Sequence, residues 1–367
     1  MHGDAPRFLR ATVGAISLMV LVGMQRLLRP AIPEPSLPAA SDLARIRPVI
    51  EASPDTTAYL ALLGDKRLLM SESGRSFIMY GIEGRSWVAM GDPVGPEEER
   101  RELVWRFREL CDHHGGWTVF YEAGAENLPL YLDLGLTPLK IGEEACVQLE
   151  DFSLDGGRRK GLRYARTRME REGAVFSVIR PEEVAALLPD LRALSEAWLA
   201  EKNTREKRFS LGSFKDDYMK ACPVAIVRQR NEIIAFANIW AGGSKEELSI
   251  DLMRHRPDAP QGIMEFLFVE LMLWGRQQGF RWFNLGMVPL AGLEDHALAP
   301  LWNRLGARVF RHGEHFYNFQ GLRRFKEHFD PDWSPKYLIS PGGFALPLIL
   351  TNLASLMAGG LKGVVAK

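Results

Sequence analysis

Cysteine is scarce in this chain: Cys111, Cys146 and Cys222 are the only 3 among 367 residues, odd in number and far apart. That spacing excludes a disulfide framework and a paired-thiol zinc motif, and it fits buried thiols in a reducing compartment. A charge of one dominant sign is also missing, with Lys+Arg 46 against Asp+Glu 46. Global charge therefore argues neither for nor against nucleic acid, and any electrostatic signal must be local. A hydrophobic content of 46% with 25% charged residues excludes a disordered chain, and 367 residues suffice for two ordinary domains.

Two long uncharged runs frame the sequence. The run 11–25 is bracketed by Arg7, Arg10, Arg26 and Arg29. With Phe8, Leu9, Leu27 and Leu28 its apolar reach approaches the ~20 residues of a membrane helix, with the arginines snorkelling to the interface. Residues 1–30 are expected to form a single membrane anchor. A cleaved signal peptide is the rival, disfavoured by arginines directly behind the apolar run. Arginines on both sides leave the orientation open. Residues 31–41 lie in PAIPEPSLPAAS, whose four prolines make a semi-rigid extended spacer. The second run, 337–361, is leucine-rich and broken by Pro341, Gly342, Gly343 and Pro347. An interfacial helix, packing on the folded part and disorder all stay open for the apolar tail, 339–367.

The first half, 42–152, reads as helices at 42–50 and 54–63, then strands at 67–71, 76–82 and 86–90 with turns at Gly74 and Glu83-Gly84. GDPVGP at 91–96 starts a helix over 97–114, followed by a strand at 117–122, a short helix at 127–134 and a strand at 146–149. GDPVGP could cradle a phosphate, but a Gly-Pro turn after a strand is first of all a turn. His113 and His114 close a helix and suit its dipole better than a metal.

The local charge signal is the connector 153–173. Arg158, Arg159, Lys160, Arg163, Arg166, Arg168 and Arg171 stand against only Glu170 and Glu172 in 156–173. Helical spacing spreads these cations over most of the surface, unlike an amphipathic helix packed on a core. It reads as a solvated helix joining two halves, or as a phosphate-backbone site, since clustered arginines release counterions. Anionic lipid headgroups would suit it equally.

The element order recurs over 174–338: a strand at 174–179, a helix at 181–202 interrupted near Pro189, and FSLG at 209–212 leading into a helix at 213–220. Strands at 223–229, 232–241 and 247–252, an apolar helix at 262–279 and a strand at 282–285 complete it. The recurrence points to an internal duplication. The stretch 247–268 organises this half, because Asp251, Arg254, His255 and Arg256 sit between a buried strand and a nearly all-apolar helix. Charges placed there cost stability unless they line a cleft. In GNAT-type acyltransferases the matching strand ends in a turn, Arg/Gln-x-x-Gly-x-Gly/Ala, whose N–H groups hold the phosphates of coenzyme A. Here 256–263 reads RPDAPQGI, with one glycine, two prolines lacking N–H and an aspartate. Coenzyme A is not expected, nor is any other cofactor or metal.

Four runs carry a resemblance: FSLGSF at 209–214, DLMRHRPDAPQGIMEFLF at 251–268, FNLGMVPLAGL at 283–293 and GEHFYNFQGLRRFKEHFDPDWSPKYL at 313–338. They closely resemble the C-terminal catalytic region of MprF-type phosphatidylglycerol aminoacyltransferases, and GDPVGP fits as well. The resemblance implies an α/β fold of two tandem GNAT-like domains, 42–152 and 174–338, joined by the basic helix. It implies transfer of lysine or alanine from aminoacyl-tRNA to phosphatidylglycerol, with the catalytic part on the cytoplasmic face of the inner membrane. Weaker membrane negative charge and resistance to cationic antimicrobial peptides would follow. Lipid flipping, which full-length members perform with a multi-helix domain, is not carried over.

On this resemblance a glycerol hydroxyl attacks the aminoacyl ester and the tRNA ribose hydroxyl leaves. Positioning, proton transfer and oxyanion stabilisation suffice without a covalent intermediate. The catalytic candidates are Asp251, as partner of the α-ammonium or acceptor of the hydroxyl proton, Arg254, as a bidentate phosphate holder, and Glu314 and Lys326. Phe209, Ser210, Gly212, Asn284, Met287, Tyr317 and Asn318 are expected to wall the substrate pocket. Arg158, Arg159, Lys160, Arg163, Arg166 and Arg168 are expected to hold tRNA. The structural alternative is an ion pair between Asp251 and Arg254. Two other functions stand beside the first: Fem-like transfer to a peptidoglycan precursor, and a non-enzymatic, membrane-tethered tRNA- or lipid-binding module.

Overall fold

The computed structural model describes residues 12–17, 19–21, 35–293, 302 and 319–359. The chain forms two units, Met1–Ser36 and Leu37–Lys367. In the first, residues 12–17 and 19–21 are helical. Among the described residues no helix is long and apolar enough to cross a membrane. The rest of the expected anchor lies outside the described residues.

The second unit opens with α1 (Ala40–Ala52) and a 3-10 turn, Thr56–Leu63, started by the Asp55 side chain, which accepts from Thr57 N at 2.7 Å. Then β1 (Arg67–Met70), β2 (Phe77–Glu83) and β3 (Ser86–Met90) form an antiparallel meander. Parallel neighbours need a crossover helix. Accordingly α2 (Glu97–His113), with Leu103, Val104, Phe107 and Cys111 buried, carries the chain to β4 (Trp117–Gly124), which pairs parallel with β3. The helix α3 (Leu128–Asp133) leads to β5 (Thr137–Gln148).

After α4 (Lys160–Arg171) the same construction recurs. The strand β6 (Val175–Ile179) and α5 (Leu188–Glu201) are followed by a short helix α6 (Asp216–Lys220). An antiparallel meander comes next: β7 (Val224–Gln229), β8 (Glu232–Ala241) and β9 (Glu247–His255). The apolar helix α7 (Ile263–Gln277) crosses to β10 (Trp282–Pro289), parallel with β9. The described chain closes with α8 (Phe319–Glu327), β11 (Asp332–Ser340) and α9 (Leu346–Ala358). All the described strands join one eleven-stranded sheet in the order β1-β2-β3-β4-β11-β5-β10-β9-β8-β7-β6.

Three elements differ from the sequence expectation, and for a fourth, the tail, one of the open alternatives is found. The strand expected at 146–149 is the end of β5, which begins at Thr137 and pairs along its length with β11. The strand β11 was not anticipated; it comes from the C-terminal part of the chain yet lies between β4 and β5. The basic connector is not a solvated joining helix: Leu162 (3% exposed) and Met169 (0%), seven apart on one side of α4, are buried in the core shared with α7. The tail is a helix packed on β2 and β3, with Ile349 and Leu353 inside and Asn352 Nδ2 donating to Ser86 Oγ at 2.9 Å.

Candidate active site

The parallel pair β9 and β10 stays together only from Glu247–Trp282 to Ser249–Asn284. Beyond that point β9 continues beside β8, and β10 continues beside β5 through Met287–Glu144 to Pro289–Gly142. The two strands thus part. Asn238 on β8 marks the irregularity on one side, where its Oδ1 accepts the Leu252 N–H at 2.7 Å.

Lys326, on α8, closes the other side of this parting. Its Nζ donates to the carbonyls of Gly286 at 2.8 Å and Met287 at 3.1 Å, and the residue is 5% exposed. Burial lowers its pKa from 10.5 to about 8, against the opposing pull of Glu144 and Glu122. Two of the ammonium's three donors are therefore spent on β10.

Acids line the seam between the two halves. Glu122, at the end of β4 with φ 64, is raised to about 7 by burial. Glu247 is also raised to about 7 by burial and by the nearby charges of Asp55 and Glu144. Its carboxylate accepts from Thr56 N at 3.0 Å and from Asn284 Nδ2 at 3.0 Å. Asn284 Oδ1 in turn accepts the Gly286 N–H at 2.7 Å, tying the seam to the parting of the strands. Asp92, from GDPVGP, accepts from Gly124 N at 2.8 Å and from the Tyr131 hydroxyl, while burial pushes its pKa up. Lys336, on β11, pairs with Glu144 at 3.1 Å. Burial alone would weaken that ammonium, but Glu144, Asp55 and Asp92 together hold its pKa above the usual range. Asp55, Asp92, Glu144, Glu247, Asn284 and Lys336 line a cavity of about 350 Å³.

Asp251 organises the loop that precedes α6. Its Oδ1 accepts the Gly212 N–H at 2.8 Å, and its Oδ2 accepts the Tyr218 hydroxyl at 2.6 Å. Trp240 Nε1 donates to the same hydroxyl at 2.9 Å. Burial raises the Asp251 pKa, opposed by these two hydrogen bonds. Arg254 is not its ion-pair partner: the guanidinium bonds Glu206 at 2.8 Å and Ser195 at 3.2 Å and lies over the Trp198 ring. Phe209 is buried at φ 67 against Gly81 and Tyr121, and Ser210 N donates to Arg208 O at 2.9 Å. Met287 is half-buried against the core that holds Phe209 and Tyr121. Glu314, Tyr317 and Asn318 lie outside the described residues.

Several basic candidates on and before α4 are turned inward. Arg166 pairs with Glu270 at 2.5 Å, Arg163 bonds the carbonyls of Leu154 and Gly156, and Arg159 lies over Phe152. Arg168 pairs with Glu172 at 2.8 Å, Arg158 reaches Asp330 at 3.6 Å, and Lys160 is exposed.

Structure thus brings together Lys326, Asn284 and Met287 from the expected set, and adds Glu122, Glu144, Glu247, Asp92 and Lys336. Asp92 was visible within GDPVGP but reads there as a turn residue. Glu247 opens the stretch that organises the second half. Lys336 lies within the run 313–338, but nothing there singles it out as a site residue, because its strand was not anticipated.

Carboxyls with raised pKa values and an ammonium with a lowered one, gathered where parallel strands of a mixed sheet part, mark a candidate active site on an α/β fold. Sequence comparison makes the class particular. The family described as "Phosphatidylglycerol lysyltransferase, C-terminal" matches residues 47–340, and this chain belongs to it. It is 39% identical over 290 residues to a phosphatidylglycerol lysyltransferase of Bacillus subtilis, covering 78% of this chain and 34% of the relative. The chain therefore spans about a third of the length of the curated relatives it matches. Two solved structures are similar at a TM-score of 0.80: the C-terminal domain of a putative lysylphosphatidylglycerol synthetase from Agrobacterium fabrum, 43% identical, and L-PGS from Bacillus licheniformis, 36% identical. The first match covers 88% of this chain and the second 89%, with 99% of the other chain in both cases.

Proposed function

We propose that the chain moves a lysyl or alanyl group from aminoacyl-tRNA to a glycerol hydroxyl of phosphatidylglycerol. The observation that carries this reading is the family match over 47–340, which includes both parallel strand pairs, the acidic seam and α8. We read 42–152 and 174–338 as tandem GNAT-like domains fused through the sheet. We place the chain at the cytoplasmic face of the membrane, tethered by residues 1–30.

The chemistry needs no oxidant and no net proton change. The glycerol oxygen forms a bond to the ester carbonyl carbon, the bond from that carbon to the ribose oxygen breaks, and the glycerol proton ends on the ribose oxygen. Lys326 is assigned the developing oxyanion: its third N–H has no acceptor among the described residues and is left to the substrate, and its low dielectric surroundings strengthen that interaction. A Glu122 carboxyl near pKa 7 suits transient acceptance of the glycerol proton. The acid-lined cavity suits the ammonium of the aminoacyl group. Asp251 is assigned the fixing of the Phe209–Gly212 loop, and Arg254 the fixing of Glu206 and Trp198. The outward cations Arg158, Lys160 and Arg168 are assigned to tRNA phosphates, with Arg159, Arg163 and Arg166 shaping α4 beneath them.

Mass analysis of lipids from cells expressing the chain tests the reading. Aminoacylated phosphatidylglycerol is expected, and its absence with altered muropeptides would establish the Fem-like reaction instead. Neither product, with tRNA or lipid binding retained, would leave a binding module.

A further inference from the structure

The outward side of α9 has no role in the proposed chemistry. Helical spacing puts Pro347, Leu348, Thr351 and Ala354 on one face, Phe344 stands in the 3-10 turn Gly343–Ala345 just before the helix, and all five are exposed, Phe344 completely. The opposite face is committed: Ile349 and Leu353 enter the core, and Ser355 Oγ donates to Glu83 at 3.0 Å. The outward face offers no charge, since none occurs from Tyr337 to Leu361. Its one hydroxyl is already spent, because Thr351 Oγ1 donates to Pro347 O at 3.0 Å. Water gains nothing from such a face.

Cations gather at the C-terminal end of this helix. The Arg208 backbone N–H donates to Met357 O at 3.1 Å, which brings the exposed loop 202–208 to the end of α9. That loop holds Lys202, Arg205, Lys207 and Arg208, and Leu211 just beyond is 47% exposed. Its acid Glu206 is bound to Arg254, and the neighbouring Glu201 is bound to Lys202 at 3.1 Å. Lys202 is thereby paired, and the exposed Arg205 and Arg208 present positive charge outward. One arginine at a helix C-terminus would satisfy the dipole, but a second exposed arginine and an exposed leucine go beyond that need.

An uncharged apolar face with a cationic end fits the boundary between headgroups and acyl chains of an anionic bilayer. We propose that α9, with the loop 202–208 at its end, is a membrane-docking surface that seats the folded unit on anionic phospholipid. It goes beyond the proposed acyl transfer and does not depend on the donor, so each can fail without the other.

The test uses the full chain and no tRNA. A fluorophore sensitive to polarity is attached at Leu348→Cys, with Ser244→Cys as an exposed control and the unsubstituted chain as labelling background. Mixing with phosphatidylglycerol-containing vesicles is expected to brighten and blue-shift the Leu348 label several-fold while the Ser244 label stays unchanged; neutral phosphatidylcholine vesicles should leave both unchanged. In the labelled Leu348→Cys chain, Phe344→Ser should cut the vesicle-induced shift of the label several-fold, from lost apolar burial alone. Arg205→Gln with Arg208→Gln should weaken that shift at low salt and change it little at high salt. Circular dichroism melts confirm that these exposed substitutions leave the fold intact. A Leu348 label that stays water-like while the chain floats with the vesicles overturns the proposal, because another surface then makes the contact. Burial of the label without vesicles, in step with self-association, also overturns it and makes a second copy the occupant.

Discussion

The Gly212 N–H donates to Asp251 Oδ1 at 2.8 Å, and a Cβ on Gly212 would stand 1.6 Å from the other carboxylate oxygen. Asp251 cannot hold its position beside any larger residue. Gly212→Ala should therefore turn the carboxylate away from Tyr218 or displace the loop, costing about 1–3 kcal/mol as overpacking does. Urea unfolding checks the stability loss, and acyl transfer should fall with it.

Tyr218 sits between Asp251 and Trp240, donating to one at 2.6 Å and accepting from the other at 2.9 Å. Tyr218→Phe removes a donor that holds the already raised Asp251 pKa down. The expected outcome is a loss of about 1–2 kcal/mol of stability. Because its folded pKa is raised, Asp251 contributes stability at low pH that is lost as pH rises, and in Tyr218→Phe this descending limb should extend to higher pH. An unmoved limb would separate Asp251 ionisation from this hydroxyl.

Lys326 makes stability depend on alkaline pH. Its folded pKa is lowered to about 8 from 10.5, so between those values the unfolded chain binds more protons than the native one. Its contribution is thus unfavourable below pH 8 and is relieved as pH rises towards 10.5, by roughly 3 kcal/mol. The difference in stability between the wild type and Lys326→Met should change by that order across this window. Glu122 and Glu247 run the other way. Their pKa values are raised from 4.5 to about 7, so each contributes stability at low pH that is lost as pH rises through about 7. Unfolding of Glu122→Gln should show a flatter profile from pH 4.5 to 7.

The arginines of α4 should divide into two classes. Arg166→Ala leaves Glu270 partly buried without its 2.5 Å partner and is expected to destabilise the fold. Lys160→Glu, at an exposed position, should leave melting unchanged but weaken tRNA binding and flatten its salt dependence. Filter binding across a salt series, beside thermal melts, distinguishes the two.

The periodicities that sequence can carry were legible. The meanders β1-β2-β3 and β7-β8-β9, the crossover helices α2 and α7 and the strands they lead to fall within a few residues of expectation. The strand β11 was hidden by its own composition: Asp332, Pro335 and Lys336 look like loop, and Pro cannot donate to a ladder. Pro335 is tolerated because pairing with β4 begins only at Lys336. Missing β11 also hid Lys336, and with it the acidic seam. Charge counting misread α4, since sequence cannot tell an arginine facing solvent from one whose stem covers a core and whose head finds Glu270. Asp251 and Arg254 stood out as charges between buried elements, yet their partners Gly212, Tyr218, Glu206 and Ser195 are distant in sequence, which only the fold brings near.

The central claim is acyl transfer from tRNA to lipid. The most direct measurement is a purified-chain assay with vesicles of phosphatidylglycerol and tRNAs charged separately with labelled lysine or alanine. The account predicts label in the lipid phase with one of the two tRNAs, sensitive to ribonuclease before the reaction and lost in Lys326→Met at equal folded protein. Label that stays on tRNA with both, while the chain is folded and binds the vesicles, would contradict it.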